Sequence, residues 1–307
     1  MRDMLRHVKT LVQGLCIGSA DVVPGVSGGT IAFIFGIYEE LINSIKSFDI
    51  KFIRLVISGE IKEAAAHINM QFLFPLVSGI GLAIITLANV ITFLIRYYPI
   101  FIWSFFFGLI VASVVIFFLK MHPLRIGRFL SFIAGGLFIW LIIGLSPAGT
   151  PDDRWFLFLS GSIASCAMIL PGISGAFILV LLGKYQFILE ALIGRDILTI
   201  IIFSAGALIG LLGFAKLLSK LLKKYYFIVT AFMGGVIAGS LRKIWPWKET
   251  IRTAVDRHGE VIPTLEKNIV PGLSQETIFA LFFIIAGFFV MLFIDKIGSN
   301  KNTIKPE

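Results

Sequence analysis

Two short runs in this 307-residue chain hold residue types that could do chemistry. Residues 24–29 read Pro-Gly-Val-Ser-Gly-Gly, and residues 171–176 read Pro-Gly-Ile-Ser-Gly-Ala. Each run breaks a long apolar segment. Proline removes an N–H donor and clashes with the preceding turn, and the flanking glycines loosen the backbone further. A new half-helix is expected after each break, near Gly29–Thr30 and near Ala176. The first N–H groups of a helix lack intrahelical acceptors and sit at the positive end of its dipole. Ser27, Ser174 and Thr30 add hydroxyl donors, while Gly28, Gly29 and Gly175 let a ligand approach the backbone. Pro24, Gly25, Pro171 and Gly172 form the turns themselves. The expected product is an anion site suited to a phosphate or a carboxylate. The plainer role of Ser27 and Ser174 is helix capping, which is compatible with that chemistry.

A few ionisable and aromatic residues flank these turns. Asp21 lies three residues before the first turn, inside an apolar run, where an ionisable group is a functional candidate. It is expected to bind a proton or Na⁺ that drives transport, to pair with a cation, or to accept backbone N–H groups. Its counterpart in the second run is Met168. Glu39 follows Tyr38 and is placed at an entrance, while Glu40 is read as solvated. Lys184, next to Tyr185, either attracts an anionic headgroup or snorkels to the interface.

The elements that position these residues follow from composition. Hydrophobic residues make up 57% of the chain and charged residues only 15%, against about 25% in an ordinary soluble domain. The mean hydropathy is +0.94. There are 30 Phe and only 6 Tyr. Such a chain cannot cover itself with polar surface in water, so it is read as an all-α polytopic membrane protein. Six segments are long enough to span: 72–95, 100–119, 129–146, 198–215, 226–242 and 276–295, with a polar break at 216–224. The segments 11–42 and 156–193 carry the Pro-Gly-x-Ser-Gly breaks. Each is too short for two crossings, so each is either one kinked span or a re-entrant helical hairpin. Residues 43–71 are expected to form an amphipathic surface segment, and 243–275 an outer loop. The basic N-terminus resembles a signal-peptide start but lacks a clean cleavage pattern, so it is treated as part of the mature chain.

Self-similarity organises the segments. Residues 24–38 match 171–185 at an offset of 147, with Pro, Gly, Ser, Gly, Gly and Tyr coinciding. Residues 106–113 resemble 233–240 at an offset of 127, and 134–138 resemble 286–290. The chain therefore divides into a first repeat, 1–147, and a second, 148–307, which ends in a cytoplasmic tail. Each repeat holds one broken segment and three spans. If both broken segments are hairpins, 17 of the 27 Lys and Arg fall on the side of the N-terminus. If both are single spans, that side holds 12. The positive-inside rule favours hairpins, with both termini cytoplasmic. Three crossings between the hairpins then make the repeat inverted, a pattern of secondary transporters.

Other chemistries have little support. Gly-Val-Ser-Gly-Gly at 25–29 matches the nucleophile-elbow pattern, but its flank is apolar helix and the second copy breaks it. The four histidines, His7, His67, His122 and His258, fall in or beside polar segments. No Walker A run, metal-ligand cluster or cofactor motif is present. The net charge of +9 belongs to membrane-surface loops rather than to nucleic-acid binding. Cys16 and Cys166 read as packing residues.

The runs GSADVVPGVSGGTIAFIFGIYEEL and LPGISGAFILVLLGKY resemble the paired signature of the PopT-type polyprenyl-phosphate transporters, over nearly the whole chain. The matching positions are Asp21, Pro24, Gly25, Ser27, Gly28, Gly29, Tyr38 and Glu39, then Pro171, Gly172, Ser174, Gly175 and Tyr185. Ala176 departs from the serine of the family pattern, which weakens the second turn. The resemblance implies a membrane transporter, not an enzyme. It implies undecaprenyl phosphate as substrate, returned from the outer to the cytoplasmic leaflet of a prokaryotic plasma membrane. An ion-coupled carrier of a small soluble anion and a non-transporting scaffold remain the alternatives.

Overall fold

The computed structural model describes residues 2–23, 26–121, 125–145, 147, 149–255 and 261–299. The turn residues Pro24 and Gly25, His122, His258 and the end of the C-terminal tail lie outside these residues. The chain folds as a mostly helical, multi-pass membrane protein. Its helices are α1 (Arg2–Val22), α2 (Gly28–Ile34), α3 (Tyr38–Lys46), α4 (Ile50–Ile57), α5 (Ile61–His67), α6 (Met70–Tyr97) and α7 (Pro99–Lys120), followed by α8 (Ile126–Ile143), α9 (Arg154–Ile169), α10 (Gly175–Leu181), α11 (Tyr185–Ile193), α12 (Ile197–Ser240) and α13 (Gln275–Ser299).

Among the described residues five helices are long and apolar enough to cross a bilayer: α6, α7, α8, α12 and α13. At about 1.5 Å per residue the 44-residue α12 has length for two crossings. It is interrupted at Tyr225 (φ −131°, ψ 41°), giving arms at 197–224 and 226–240. The break is shorter than the sequence suggests. The lysines at 216, 220, 223 and 224 sit exposed on helix rather than in a connection, because lysine is a good helix former.

Four helix pairs carry the packing: α1 with α6, α9 with the first arm of α12, α7 with α13, and α8 with the second arm of α12. Each contact is built the same way, with a glycine on each helix facing a partner carbonyl. A Cβ on Gly14 would overlap the carbonyl oxygen of Leu76, and one on Gly79 that of Leu11. Gly161 meets Phe203 and Gly206 meets Phe158. Gly108 meets Ile284 and Gly287 meets Phe105. Gly135 meets Phe232 and Gly235 meets Phe132. In lipid, helices gain little by hiding apolar surface from one another, so close backbone approach through small residues becomes the attraction. These glycines also follow the sequence offsets. Gly161 lies 147 residues after Gly14, while Gly206 and Gly235 lie 127 after Gly79 and Gly108.

Two regions outside the spans have their own structure. Residues 43–71 carry the end of α3, then α4 and α5. Asp49 caps α4 by accepting from Phe52 N at 3.0 Å, and α4 exposes Ile50, Ile53, Val56 and Ile57 beside Lys51 and Arg54. The 243–275 loop departs from the all-α expectation. It holds an antiparallel hairpin of β1 (Lys248–Val255) and β2 (Val261–Asn268), with Lys248 opposite Asn268 and Val255 opposite Val261. Thr250, Ile251, Thr253, Val255, Ile262 and Thr264 supply its β-branched residues.

The glycine contacts give a stability test. Gly108→Val or Gly235→Val is expected to destabilise by at least about 1–3 kcal/mol, because the helices must separate. Gly81→Ala and Gly213→Ala, which face open space, are expected to be neutral or slightly stabilising. Thermal unfolding in detergent checks both.

Candidate functional site

The first turn is organised by Asp21. Ser27 is extended (φ −116°, ψ 129°) and α2 starts at Gly28. Asp21 Oδ1 accepts from Gly28 N at 2.6 Å. A Cβ on Gly28 would come within 2.6 Å of Asp21 Oδ2, so glycine is what lets the carboxylate sit there. Neither Ser27 nor Ser174 caps its helix through the side chain. The Ser27 carbonyl instead accepts from Thr30 N at 2.9 Å, and the Ser174 carbonyl from Ile178 N at 3.2 Å. Capping in the first motif therefore falls to a carboxylate seven residues upstream.

The two motifs meet. Gly172 N donates to Thr30 Oγ1 at 2.7 Å, and Tyr38 Oη donates to the Ile169 carbonyl at 3.0 Å. A Cβ on Gly29 would stand 3.0 Å from the same Ile169 oxygen. Gly172 has a φ of +85° and packs on the Val236 carbonyl, a left-handed conformation and close approach that favour glycine. Ser27, Thr30, Tyr38 and Gly172 are all buried. The first half-helix thus lies against the second turn, and backbone groups freed by the break find partners across the halves.

The ends of each broken segment also come together. Arg6 Nη2 pairs with Glu40 Oε1 at 3.0 Å, and Asn69 Nδ2 donates to the same oxygen at 2.9 Å. In the second motif Lys184 Nζ binds Asp152 Oδ1 and donates to the Thr150 carbonyl at 3.0 Å. Each ion pair links the two ends of a broken segment. A third polar contact ties Lys46 Nζ to Ser219 Oγ at 3.1 Å, and that serine donates to Asn43 Oδ1 at 2.9 Å. This brings the end of α3 to the lysine-rich stretch of α12.

These contacts place the candidates individually. Asp21, Ser27, Gly28, Gly29, Thr30 and Tyr38 gather with Gly172, while Pro171, Ser174 and Gly175 continue the second turn. Ala176 and Tyr185 are exposed, so Tyr185 does not mirror the buried Tyr38. Glu39 is exposed at the start of α3. Glu40 differs from its expected solvated state, since it joins α1, α3 and α6. Lys184 differs too. It is 1% exposed and neutralised by Asp152, so it neither snorkels nor faces an incoming headgroup.

Sequence reasoning did not single out Lys243, whose Nζ lies 5.1 Å from the ring centroid of Phe177 in α10. Phe177 occupies the repeat position of Thr30, 147 residues on. The first turn thus has a carboxylate and a hydroxyl where the second has Met168 and an aromatic ring under a lysine. The signal was a cation immediately after the apolar run of α12, beside Trp-Pro-Trp at 245–247.

A family model described as undecaprenyl phosphate translocase-like matches residues 17–262. A polyprenyl-phosphate transporter of Vibrio cholerae serotype O1 is 43% identical over 267 residues, covering 87% of each chain. A polyprenyl-phosphate transporter of Staphylococcus aureus is 30% identical over 258 residues, covering 77% of this chain and 85% of the relative. No solved structure matches.

The contacts between the turns are testable without transport. Thr30→Val leaves the Gly172 N–H without its acceptor, and Tyr38→Phe leaves the Ile169 carbonyl without its donor. Each is expected to cost about 1–3 kcal/mol. The double variant should cost less than the sum, because both bonds dock the same two segments. Unfolding midpoints in detergent measure this.

Proposed function

The chain belongs to the undecaprenyl phosphate translocase-like family, and from that premise we propose that it moves undecaprenyl phosphate from the outer to the cytoplasmic leaflet of a prokaryotic plasma membrane. The observation that carries this reading is the meeting of the two Pro-Gly-x-Ser-Gly motifs, through Thr30 with Gly172 and Tyr38 with Ile169. A polyprenyl phosphate has one group that is costly to move, its charged head, while its tail stays in lipid. The protein needs a polar site at membrane depth that opens sideways, not a wide aqueous pore.

In this reading 1–147 and 148–307 are inverted repeats, each with a re-entrant hairpin and three crossings. The equivalent glycine contacts and the closed ends of both broken segments support it. The N-terminus and C-terminal tail are cytoplasmic. Rocking of one half against the other exposes the site to alternate leaflets. The phosphate is held by Ser27, Gly28, Gly29 and Thr30 from one side, and by Ser174, Gly175 and Ala176 from the other.

Asp21 gives this site a way to couple to an ion. As a carboxylate it occupies the Gly28 N–H and repels a phosphate. A proton or Na⁺ on Asp21 removes the repulsion, and protonation weakens its hold on that donor. Anion and coupling ion then enter together.

Reconstitution in vesicles with a leaflet-accessibility assay for polyprenyl phosphate tests the proposal. Ser27→Ala/Ser174→Ala is expected to slow translocation at least about tenfold, as for the loss of more than one charge-assisted hydrogen bond. Asp21→Asn is expected to abolish dependence on a proton or Na⁺ gradient. Equal translocation by wild type and the double serine variant sinks the proposed site. Uptake of a soluble anion in place of the lipid sinks the substrate.

A further inference from the structure

Between α12 and β1 the chain reads Leu-Arg-Lys-Ile-Trp-Pro-Trp-Lys over 241–248. Three cations in seven residues each stand by an aromatic face. The Arg242 guanidinium carbon is 4.4 Å from the Trp140 ring centroid, Lys243 Nζ is 5.1 Å from that of Phe177, and Lys248 Nζ is 4.7 Å from that of Trp103. Aromatic faces favour a cation without neutralising it.

The three are not equally committed. Arg242 Nη1 donates to the Trp140 carbonyl at 3.0 Å, near the end of α8. Lys248 pairs with Glu266 Oε2 at 3.2 Å. Among the described residues no carboxylate stands within ion-pair distance of Lys243, and its ammonium makes no hydrogen bond. Burial and the neighbouring Lys248 push its pKa below the ordinary lysine range, with Glu266 opposing them. A partly buried ammonium beside another cation gains from any group that brings negative charge.

Its position adds direction. Phe177 is three residues after Ser174, so the ammonium stands over the first turn of α10, where the second motif begins its half-helix. Lys248 by Trp103 near the start of α7 puts this segment at the end of the bundle away from the Arg6–Glu40–Asn69 cluster. Start and end of α6 are about 42 Å apart at 1.5 Å per residue over 28 residues. Lys184, the cation inside the motif, is already neutralised by Asp152.

We propose that Lys243, flanked by Lys248, captures the phosphate monoester head of the lipid before it reaches the second turn. This rests on the transport reading above, and assigns the entry step on the face of the β-hairpin to one residue. The ammonium supplies a point charge and donors, while Phe177 and Trp103 give the lipid end of the path an apolar wall.

The test uses the full chain in nanodiscs and vesicles, with a short-chain prenyl phosphate, the matching prenyl alcohol and inorganic phosphate as probes. Wild type should bind the prenyl phosphate, the alcohol far more weakly, and inorganic phosphate more weakly than the lipid. Lys243→Gln should weaken prenyl-phosphate binding about tenfold and raise the lipid concentration for half-maximal transport, leaving the maximal rate within about twofold. Lys243→Arg should stay within about threefold of wild type. Prenyl phosphate should also protect Lys243 of the unmodified protein from reductive methylation, read by mass spectrometry, a measurement that does not depend on a variant folding. Unchanged binding in Lys243→Gln, or no protection of Lys243, overturns the proposal. Equal binding of inorganic phosphate overturns the lipid assignment. If the chain binds prenyl phosphate through Lys243 but does not translocate it, capture stands and the transport reading falls. If it translocates at wild-type half-saturation in Lys243→Gln, transport stands and capture falls.

Discussion

A broken helix inside a bilayer leaves backbone groups that lipid cannot satisfy, and each unsatisfied group costs several kcal/mol. This chain breaks helices in two apolar segments, and the freed groups find partners both within a segment and across the two. Gly172 N–H goes to Thr30, the Ile169 carbonyl accepts from Tyr38, and Gly28 N–H goes to Asp21. None of these partners lies in the turn it serves. The two bonds that join the motifs form only when both segments are in place, whereas the Asp21 bond is made within the first segment. In the proposed rocking motion those two bonds are the ones that would have to loosen or rearrange.

The remainder of the bundle keeps that docking in register. Four glycine-paired contacts hold the long helices at backbone-to-backbone distance. Two of them, α7 with α13 and α8 with the second arm of α12, join helices from residues 1–147 to helices from residues 148–307. The other two, α1 with α6 and α9 with the first arm of α12, stay within one of those stretches. The mouths of the broken segments are then closed by ion pairs of opposite polarity. Arg6 on the incoming helix meets Glu40, whereas Asp152 before the incoming helix meets Lys184. The first pair is exposed to solvent and weak on general grounds. In the second the lysine is buried, so loss of Asp152 would strand a charge.

Much of this was legible in the sequence, because membrane segments announce themselves by length and apolarity. The expected spans at 72–95, 100–119 and 276–295 match α6, α7 and α13 to within a few residues. The recurrence of proline, glycine, serine and tyrosine at one fixed offset of 147 is also plain in the sequence, and Gly14 and Gly161, at that same offset, both lie against a partner helix backbone. Three things were not legible. The strands of 248–268 hide in a loop whose alternation is short and interrupted by Pro263. Continuity of α12 through 216–224 follows from lysine being a good helix former, so a run that a charge count treats as a break stays helical with its lysines exposed. Partner choice was the least legible. Nothing local to Lys184 says that Asp152 will neutralise it, and nothing local to Lys243 says that among the described residues no carboxylate pairs with it.

That last difference bears on a tension in the sequence itself, a carboxylate beside a turn suited to an anion. The two motifs match in their Pro-Gly-x-Ser-Gly residues and differ in charge. The first motif carries Asp21 and Thr30 where the second carries Met168 and Phe177, and the cation over Phe177 comes from outside the motif. In the proposed transport reading, an anion approaching the second turn would meet Lys243, and one approaching the first would meet a carboxylate already bonded to Gly28 N–H. Two like half-sites would then hold a phosphate equally from either side, whereas unlike ones would differ in affinity by an amount that the charge state of Asp21 sets. At about 1.4 kcal/mol per tenfold in affinity, neutralising that one charge at close range would, on the proposed reading, be enough to shift the balance between the two turns. The two turns share their Pro-Gly-x-Ser-Gly residues, and a few flanking side chains make them inequivalent.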